Sequence, residues 1–335
     1  MRPRQKLSAF GTLMRRFSPI LTLPIVGCAG IQSTLEPAGE EARLVAILLW
    51  VMTGAGAVIW LGVVALLLYA TGRRRKVHGE RESARLILWG GAVFPAVALV
   101  LLLAYALWLM PGLRPFVQPA DDAMRIEVTG KQFWWDVIYH LPEGGSVASA
   151  NEIRLPVGER VELELKSSDV IHSFWIPALG GKMDMIPGRT NRLSLLAIKP
   201  GIFRAPCAEY CGTSHALMAF SAVAMEPDGF RQWLTERTQP SATVAEAGSA
   251  LFLRHGCGAC HTVAGTGAAG KVGPDLSHVG SRETIGAGIL ANTEENIARF
   301  IAEPDRIKPN SHMPPFDMLP EDDIRAIAAW LKGLQ

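Results

Sequence analysis

The sequence predicts a multidomain membrane protein that combines a two-helix transmembrane hairpin, an all-β sandwich and an all-α C-terminal domain. Residues 44–70 and 86–110 contain no charged side chain, and each stretch is long enough to cross roughly 30 Å of hydrocarbon as a helix. Residues 126–226 show short alternating segments separated by Gly, Pro and Asn, which is typical of β-strands. Residues 257–261 read Cys-x-x-Cys-His, a motif that attaches a prosthetic group.

Composition supports a membrane protein with metal chemistry. The chain has 335 residues, 49% of them hydrophobic, and a mean hydropathy of +0.21, which is high for a purely soluble protein. The formal net charge of +2 gives no sign of nucleic-acid binding. All five cysteines fall in short motifs, so none remains for a disulfide framework.

Residues 1–27 are predicted to be an export signal of the lipoprotein type. A basic start is followed by an apolar run, residues 19–26, that is too short to span a bilayer. The run ends in Ile25-Val26-Gly27-Cys28, which resembles a lipobox, so the mature protein would begin at lipid-modified Cys28. The alternative is an uncleaved tail that contains a cysteine by chance.

Residues 28–120 are predicted to form the hairpin, with helices at about 44–70 and 86–110. Four consecutive basic residues, 73–76, lie between the helices, and the positive-inside rule places them in the cytoplasm. Everything that follows residue 110 would then face outward. Two buried helices of a soluble protein are the alternative, which such long uncharged stretches disfavour.

Residues 121–236 are predicted to form a small antiparallel β-sandwich. Polar and apolar residues alternate along residues 125–129, 152–156 and 161–165, as expected for half-buried strands. We expect loops at one end of this sandwich to carry the chemistry.

One loop, residues 207–218, concentrates soft metal ligands in the order Cys-Ala-Glu-Tyr-Cys-Gly-Thr-Ser-His-Ala-Leu-Met. Thiolates, imidazole and thioether together suit copper. With the upstream His172, the set exceeds a mononuclear blue-copper site, so the surplus thiolate indicates two copper ions bridged by two sulfurs. The alternative is a Cys207–Cys211 disulfide with the histidine and methionine as bystanders.

This loop and the Asp-Val-Ile-His-Ser segment at residues 169–173 resemble the CuA site of cytochrome c oxidase subunit II. The resemblance implies a cupredoxin-like fold and a mixed-valence dicopper centre. It implies copper ligation by the side chains of His172, Cys207, Cys211, His215 and Met218 and by the backbone carbonyl of Glu209. It also implies that the Glu209 carboxylate contributes to a magnesium site shared with subunit I, and it assigns no catalytic residue to this chain.

The sequence departs from this family in two places. Gly-Lys-Gln-Phe-Trp-Trp resembles an aromatic stretch in which a Trp after the Gln receives electrons from soluble cytochrome c, but here Phe133 stands there. Phe133, Trp134 and Trp135 are possible points of electron acceptance, and core or subunit contacts are the alternative. The family's proton-channel glutamate is matched by Leu86, and Glu82 is one turn earlier as a possible substitute.

Residues 237–247 are predicted to be a linker and residues 248–335 a class I cytochrome c domain. The motif would attach haem c through Cys257 and Cys260, with His261 bound to the iron. A zinc site is the alternative, but the sequence has no second Cys pair to complete it.

Two further segments support haem c. Gly-Pro-Asp-Leu at residues 273–276 resembles the loop that orients the proximal histidine, and His-Met-Pro-Pro at residues 312–315 resembles the distal methionine loop. We therefore expect His261 and Met313 as axial ligands, with Met318 as the competitor for the distal position. Such His/Met ligation raises the haem potential, as an electron donor to copper requires.

Together the motifs resemble subunit II of a caa(3)-type haem–copper oxidase over residues 28–335. The resemblance implies that electrons from cytochrome c or a membrane complex pass through haem c and CuA to haem a of subunit I. Dioxygen reduction and proton translocation would occur in subunit I of this translocase-type oxidoreductase. The chain would cross the bacterial inner membrane twice, with both redox domains on the periplasmic side. A copper chaperone or a quinol oxidase subunit II would lack part of this motif set.

Overall fold

The computed structural model describes residues 30–72, 79–113, 124–241 and 246–335. Cys28 with the predicted export signal, and the basic residues 73–76, lie outside the described residues. In the hairpin, helix α1 spans Glu40–Thr71. The second membrane helix consists of α2 (Glu80–Leu86), a π-helical stretch (Ile87–Val93) and α3 (Phe94–Leu113).

Both membrane helices are long and apolar enough to cross a bilayer by length and composition. The π-helical stretch has a local cause. Pro95 lacks an N–H group, so the carbonyl of Gly91 has no α-helical partner there. One residue before Pro95, the N–H of Phe94 donates to the carbonyl of Trp89, five residues earlier, and not to that of Gly90, four residues earlier. The uncharged stretch at residues 86–110 predicts a helix but does not reveal this π-helical part.

The sandwich contains ten strands and a closing helix. They are β1 (Met124–Lys131), β2 (Trp134–His140), β3 (Ser146–Ala150), β4 (Glu152–Pro156), β5 (Arg160–Ser167), β6 (His172–Phe174), β7 (Met183–Met185), β8 (Asn191–Leu196), β9 (Gly201–Pro206), β10 (Ala219–Met225) and α4 (Pro227–Arg237). The three segments predicted from alternation fall within β1, β4 and β5.

The expectation that the sandwich is purely antiparallel is wrong. One sheet has the order β3-β2-β1-β5-β8 and the other the order β4-β10-β9. β1 and β5 run parallel, as do β4 and β10, whereas the remaining pairs in these two sheets are antiparallel. Between β1 and β5 the chain crosses to the second sheet through β4, so β5 returns along β1 in the same direction.

The core between the two sheets is aromatic. Trp135 is fully buried, and its ring meets Phe220 edge to face at a centroid distance of 5.2 Å. Phe174 stacks on Phe220 at 5.0 Å. The backbone N–H of Trp135 donates to the side-chain oxygen of Asn151 at 2.9 Å. These contacts fix β2 beneath β6 and β10, which flank the metal-ligand loops.

A buried carboxylate attaches the membrane hairpin to the sandwich. Glu41, in the first turn of α1, is 5% exposed and accepts a hydrogen bond of 2.6 Å from Arg160. It also accepts a bond of 3.2 Å from the backbone N–H of Leu196 in β8. Nearby, Ile198 donates its N–H to the carbonyl of Ala38 at 2.7 Å. The start of α1 is therefore hydrogen-bonded to the edge of the larger sheet.

The C-terminal domain is mainly helical. Its elements are α5 (Glu246–Arg254), β11 (Thr284–Ile285), β12 (Leu290–Ala291), α6 (Glu294–Ala302), α7 (Pro304–Ile307) and α8 (Glu321–Gly333). Phe252 of α5 packs on Trp330 of α8 at a centroid distance of 5.1 Å. Ile297 and Ile301 of α6 and Ile327 of α8 complete a separate hydrophobic core. α8 carries three acidic residues in its first turn, Glu321, Asp322 and Asp323, which favour a helix N-terminus.

Replacing Glu41 with Ala is expected to destabilise the sandwich by roughly 1–3 kcal/mol, because the Leu196 N–H and Arg160 lose their acceptor. Thermal unfolding of the detergent-solubilised chain, followed by circular dichroism, measures the change. Glu40→Ala is the matched control, since the neighbouring Glu40 is hydrogen-bonded to Arg43 on the helix surface. Equal effects of the two substitutions would contradict this role of Glu41.

Candidate metal centres

The metal-ligand loop, residues 207–218, is closed by the strands on either side of it. Pro206 of β9 pairs with Ala219 of β10. Inside that pair, the N–H of Cys207 donates to the carbonyl of Met218 at 2.8 Å. The two ends of the loop therefore lie side by side. His172, the first residue of β6, approaches from a separate loop and is fully buried.

The predicted donors converge on the two cysteine sulfurs, whose Sγ atoms are 3.9 Å apart. Cys207 Sγ lies 3.9 Å from Nδ1 of His172 and 3.3 Å from the carbonyl oxygen of Glu209. Cys211 Sγ lies 3.7 Å from Nδ1 of His215 and 3.7 Å from Sδ of Met218. Each sulfur thus has one imidazole nitrogen and one neutral, weaker donor beside it.

The sulfur separation does not correspond to a disulfide. A disulfide bond is about 2.05 Å long, whereas these atoms are 3.9 Å apart and both cysteines are free. The Sγ atoms of Cys207 and Cys211 and a ring nitrogen of His172 all lie within 4.8 Å of one another, and all three residues are buried. A buried cluster of two thiols, imidazole and thioether matches the donor preferences of copper.

Asp169 orients the His172 ring. Its Oδ1 atom lies 2.8 Å from Nε2 of His172, so Nδ1 is the nitrogen that faces Cys207. Burial opposes protonation of the ring, but the contacts with Cys207 and Asp169 outweigh it and raise the pKa of His172. Gly130 lies directly against the ring, and a Cβ atom there would meet His172 Cδ2 at 2.8 Å. The absence of a side chain at Gly130 therefore makes room for the ligand.

The two thiols share a proton. A hydrogen bond from the Cys211 thiol lowers the pKa of Cys207 to about 4, although burial acts in the opposite direction. The same bond raises the pKa of Cys211. Copper binding through both sulfurs requires two thiolates, so it would release the proton that the pair holds.

The predicted points of electron acceptance differ in exposure. Phe133 is 3% exposed and Trp135 lies in the sandwich core. Trp134 is half-buried, and the ammonium group of Lys131 lies 4.5 Å from its ring centre. Of the three rings, Trp134 is therefore the most accessible.

Gln132 and Asp169, to which the sequence alone assigns no role, support the site. The side chain of Gln132 donates to the carbonyl of Cys211 at 2.5 Å, and its backbone N–H donates to Asp169 at 2.7 Å. Both residues lie in the segments that carried the family resemblance, so their positions were visible in the sequence. Their contacts were not, because the partners are 79 and 37 residues apart.

The predicted proximal haem ligand, His261, is oriented by the loop at residues 273–276. His261 is half-buried, and its Nδ1–H donates to the carbonyl of Pro274 at 2.8 Å, which leaves Nε2 free to bind iron. A Cβ atom at Gly273 would meet the His261 ring at 2.4 Å, so the ring lies directly on this loop. Burial lowers the pKa of His261, which favours the neutral, metal-binding imidazole.

The two candidate distal methionines differ in their surroundings. Met313 packs against the hydrophobic core of the domain, whereas Met318 is 70% exposed. Cys257 opens a 3-10 turn, Cys257–Ala259, and is half-buried, while Cys260 is exposed. Two free thiols, an oriented imidazole and a core-facing thioether fit a covalently attached haem.

Comparison with known proteins agrees with both sites. The family described as cytochrome c oxidase subunit II, periplasmic domain, matches residues 143–225, and the cytochrome c family matches residues 245–335. These two domains imply copper and haem c respectively.

Relatives match along nearly the whole chain. Cytochrome c oxidase subunit 2 of Alkalihalophilus pseudofirmus is 36% identical, over 96% of this chain and 97% of its own length. The protein of the same name from Bacillus sp. (strain PS3) is 33% identical, over 94% and 95%. The crystal structure of the periplasmic domain of subunit II of cytochrome oxidase of Bradyrhizobium japonicum is 32% identical, over 36% of this chain and 97% of that domain, with a TM-score of 0.34. The chain belongs to the cytochrome c oxidase subunit II family and is an oxidase subunit with a cytochrome c domain at its C-terminus.

Proposed function

We propose that this subunit receives single electrons at haem c of its C-terminal domain and passes them through a dinuclear copper centre to haem a of subunit I, where dioxygen is reduced to water with proton translocation. The donor would be cytochrome c or an upstream membrane complex. The observation that supports this most directly is the arrangement of paired donors around two cysteine sulfurs that are 3.9 Å apart.

The division of the donors into two sets supports two copper ions. Cys207 and Cys211 would bridge the ions. The neighbours of Cys207 are an imidazole nitrogen and the Glu209 carbonyl, and those of Cys211 are an imidazole nitrogen and the Met218 thioether. A single ion would leave one of these sets without a metal.

The fold would position these ligands rigidly and shield most of them from solvent. Cys207, Cys211, Met218 and His172 are each at most 6% exposed. The strands β9 and β10 fix the ends of the loop, and Asp169 fixes the ring of His172. Ligands held on rigid elements change little in geometry between oxidation states, which favours fast electron transfer.

In the C-terminal domain, we propose that Cys257 and Cys260 hold haem c covalently, with His261 and Met313 as axial ligands. The Pro274 carbonyl fixes the orientation of the His261 imidazole. The core packing of Met313 supports it over Met318 as the distal ligand.

The remaining assignments follow from the family. We propose that the domain boundaries are those predicted from the sequence, that Cys28 is lipidated after removal of residues 1–27, and that both redox domains lie on the periplasmic side of the bacterial inner membrane. The Glu209 side chain is half-buried, and its carboxylate accepts a bond of 3.3 Å from the Tyr210 N–H. It would bind magnesium together with subunit I.

Metal analysis of the full chain, purified without subunit I, tests the proposed function. We expect two coppers per haem iron and a mixed-valence dicopper signal in the EPR spectrum. Cys207→Ser is expected to remove copper and leave iron unchanged, because one bridging sulfur is lost. The double substitution Cys257→Ser and Cys260→Ser is the reciprocal control and should remove haem and leave copper unchanged. Fewer than two coppers per iron, with Cys207 and Cys211 joined as a disulfide, would refute the proposal.

Asp169→Asn is expected to weaken copper binding about 10- to 100-fold, because the substitution disturbs the partner that sets the tautomer of His172. Competition with a copper chelator measures the affinity. Asp228→Asn is the control, since the Asp228 side chain is 98% exposed and its ion pair with Arg231 lies on the protein surface. Unchanged copper affinity in the Asp169 variant would contradict the orienting role.

Met313→Ala is expected to convert the haem from a low-spin to a high-spin optical spectrum and to lower its reduction potential, because the distal thioether is lost. Met318→Ala should leave both quantities unchanged. The reverse result would assign the distal position to Met318.

A further inference from the structure

The C-terminal domain is in direct contact with the sandwich at the metal-ligand loop. Residues 283–288, which include β11 and part of the turn after it, lie against the starts of β4 and β10. The N–H of Ala219 donates to the carbonyl of Ala287 at 2.9 Å, and the N–H of Glu283 donates to Glu152 at 2.7 Å. The hydroxyls of Ser221 and Thr284 are 3.4 Å apart. Backbone and side-chain hydrogen bonds thus join the sandwich to the C-terminal domain, each of which has its own hydrophobic core.

Lys308 crosses this boundary. Its side chain extends from the end of α7, and its ammonium group donates to the carbonyl of Phe133 at 2.5 Å and to that of Gly286 at 2.9 Å. Lys308 is only 4% exposed. No carboxylate among the described residues forms an ion pair with it, so two backbone carbonyls from different domains replace its hydration. That environment exists only while the domains are together.

Burial lowers the pKa of Lys308 to about 7. A neutral amine retains two N–H donors, which is the number that the two carbonyls need. The contact therefore does not depend on the charge of Lys308.

The contacts surround the proposed copper ligands. Ala219 follows Met218, and Ser214 precedes His215; the hydroxyl of Ser214 donates to the carbonyl of Pro309 at 2.5 Å. On the other side, Lys308 and Pro309 begin the segment that leads to Met313. Pro309, which accepts this bond from the copper loop, thus lies four residues before the proposed distal ligand Met313.

We propose that the cytochrome domain is a fixed partner of the copper-loop face rather than a donor that moves freely on its linker, and that Lys308 is the positioning residue of this interface. Lys308 occupies the hydrogen-bonding position at the Phe133 carbonyl, so a soluble cytochrome c could not bind at that point of the copper-loop face and would deliver electrons to the haem domain instead. The docking rests on the contacts alone, and its role in electron transfer rests on the proposed function.

Hydrogen exchange in the full, metal-loaded chain tests the docking. In Lys308→Ala, the amides of Ala219 and Glu283 are expected to exchange at least about tenfold faster, because both N–H groups donate across the interface. Lys332→Ala is the matched control, since Lys332 donates at 2.6 Å to the Gly280 carbonyl within the cytochrome domain. Unchanged exchange at both amides in the Lys308 variant would overturn the positioning role of Lys308.

A cross-link tests the pose independently of Lys308. Ser221→Cys combined with Thr284→Cys should form a disulfide in the full chain, because the two hydroxyls lie 3.4 Å apart. Failure of this disulfide to form under mild oxidation would overturn the docked arrangement.

The role in electron transfer is tested by the rate at which copper is reduced after photochemical reduction of haem c. Lys308→Ala should slow this transfer about tenfold or more, with unchanged haem and dicopper spectra, and the Ser221–Thr284 cross-link should restore it. An unchanged rate would overturn the positioning role. If only the docking fails, the metal content is correct and the transfer is slow. If the proposed function is wrong, the metal content itself differs from the expected one.

Discussion

The hydrogen-bonded register of β9 and β10 is the constraint on which the metal site depends. Because Pro206 lies opposite Ala219, the loop between them must return to its starting point. This closure brings Met218, at the end of the loop, to within 3.7 Å of Cys211 near its middle. It also holds the two sulfurs close enough to share a proton without bonding to each other. A loop with free ends would impose neither distance.

The sheet alone does not complete the site, and polar side chains from neighbouring loops supply the rest. Asp169 sets the direction of the His172 ring, and Gln132 holds the carbonyl of Cys211. The two supports are themselves connected, since Asp169 accepts the backbone N–H of Gln132. Asp169 and Gln132 therefore form a connected hydrogen-bond network beside the metal site, which restricts the orientation of both side chains.

The sandwich also connects the membrane to the cytochrome domain. At one edge, Glu41 of the first membrane helix bonds to Arg160 and to the Leu196 backbone. At the copper-loop face, the cytochrome domain contributes Lys308 and residues 283–288. Both attachments bury an ionisable side chain that is hydrogen-bonded across the boundary, so each favours one relative orientation.

Features that depend on residues close together in the chain could be predicted before the fold was known. Spacing and residue type were sufficient to predict the hairpin, the copper loop and the haem-attachment motif. Each of these features lies within one segment: two uncharged stretches, a twelve-residue loop with four ligands, and the Cys-x-x-Cys-His motif.

Other features became visible only in the folded chain. They are the parallel pairing of β1 with β5, the support of the ligands by Asp169 and Gln132, and the placement of Lys308. Lys308 and Phe133 are 175 residues apart in the chain. A single lysine after a short helix carries no sequence pattern that would distinguish a buried interdomain contact from a solvated side chain. Long-range contacts of this kind depend on how separate cores meet, and periodicity within a segment contains no information about that.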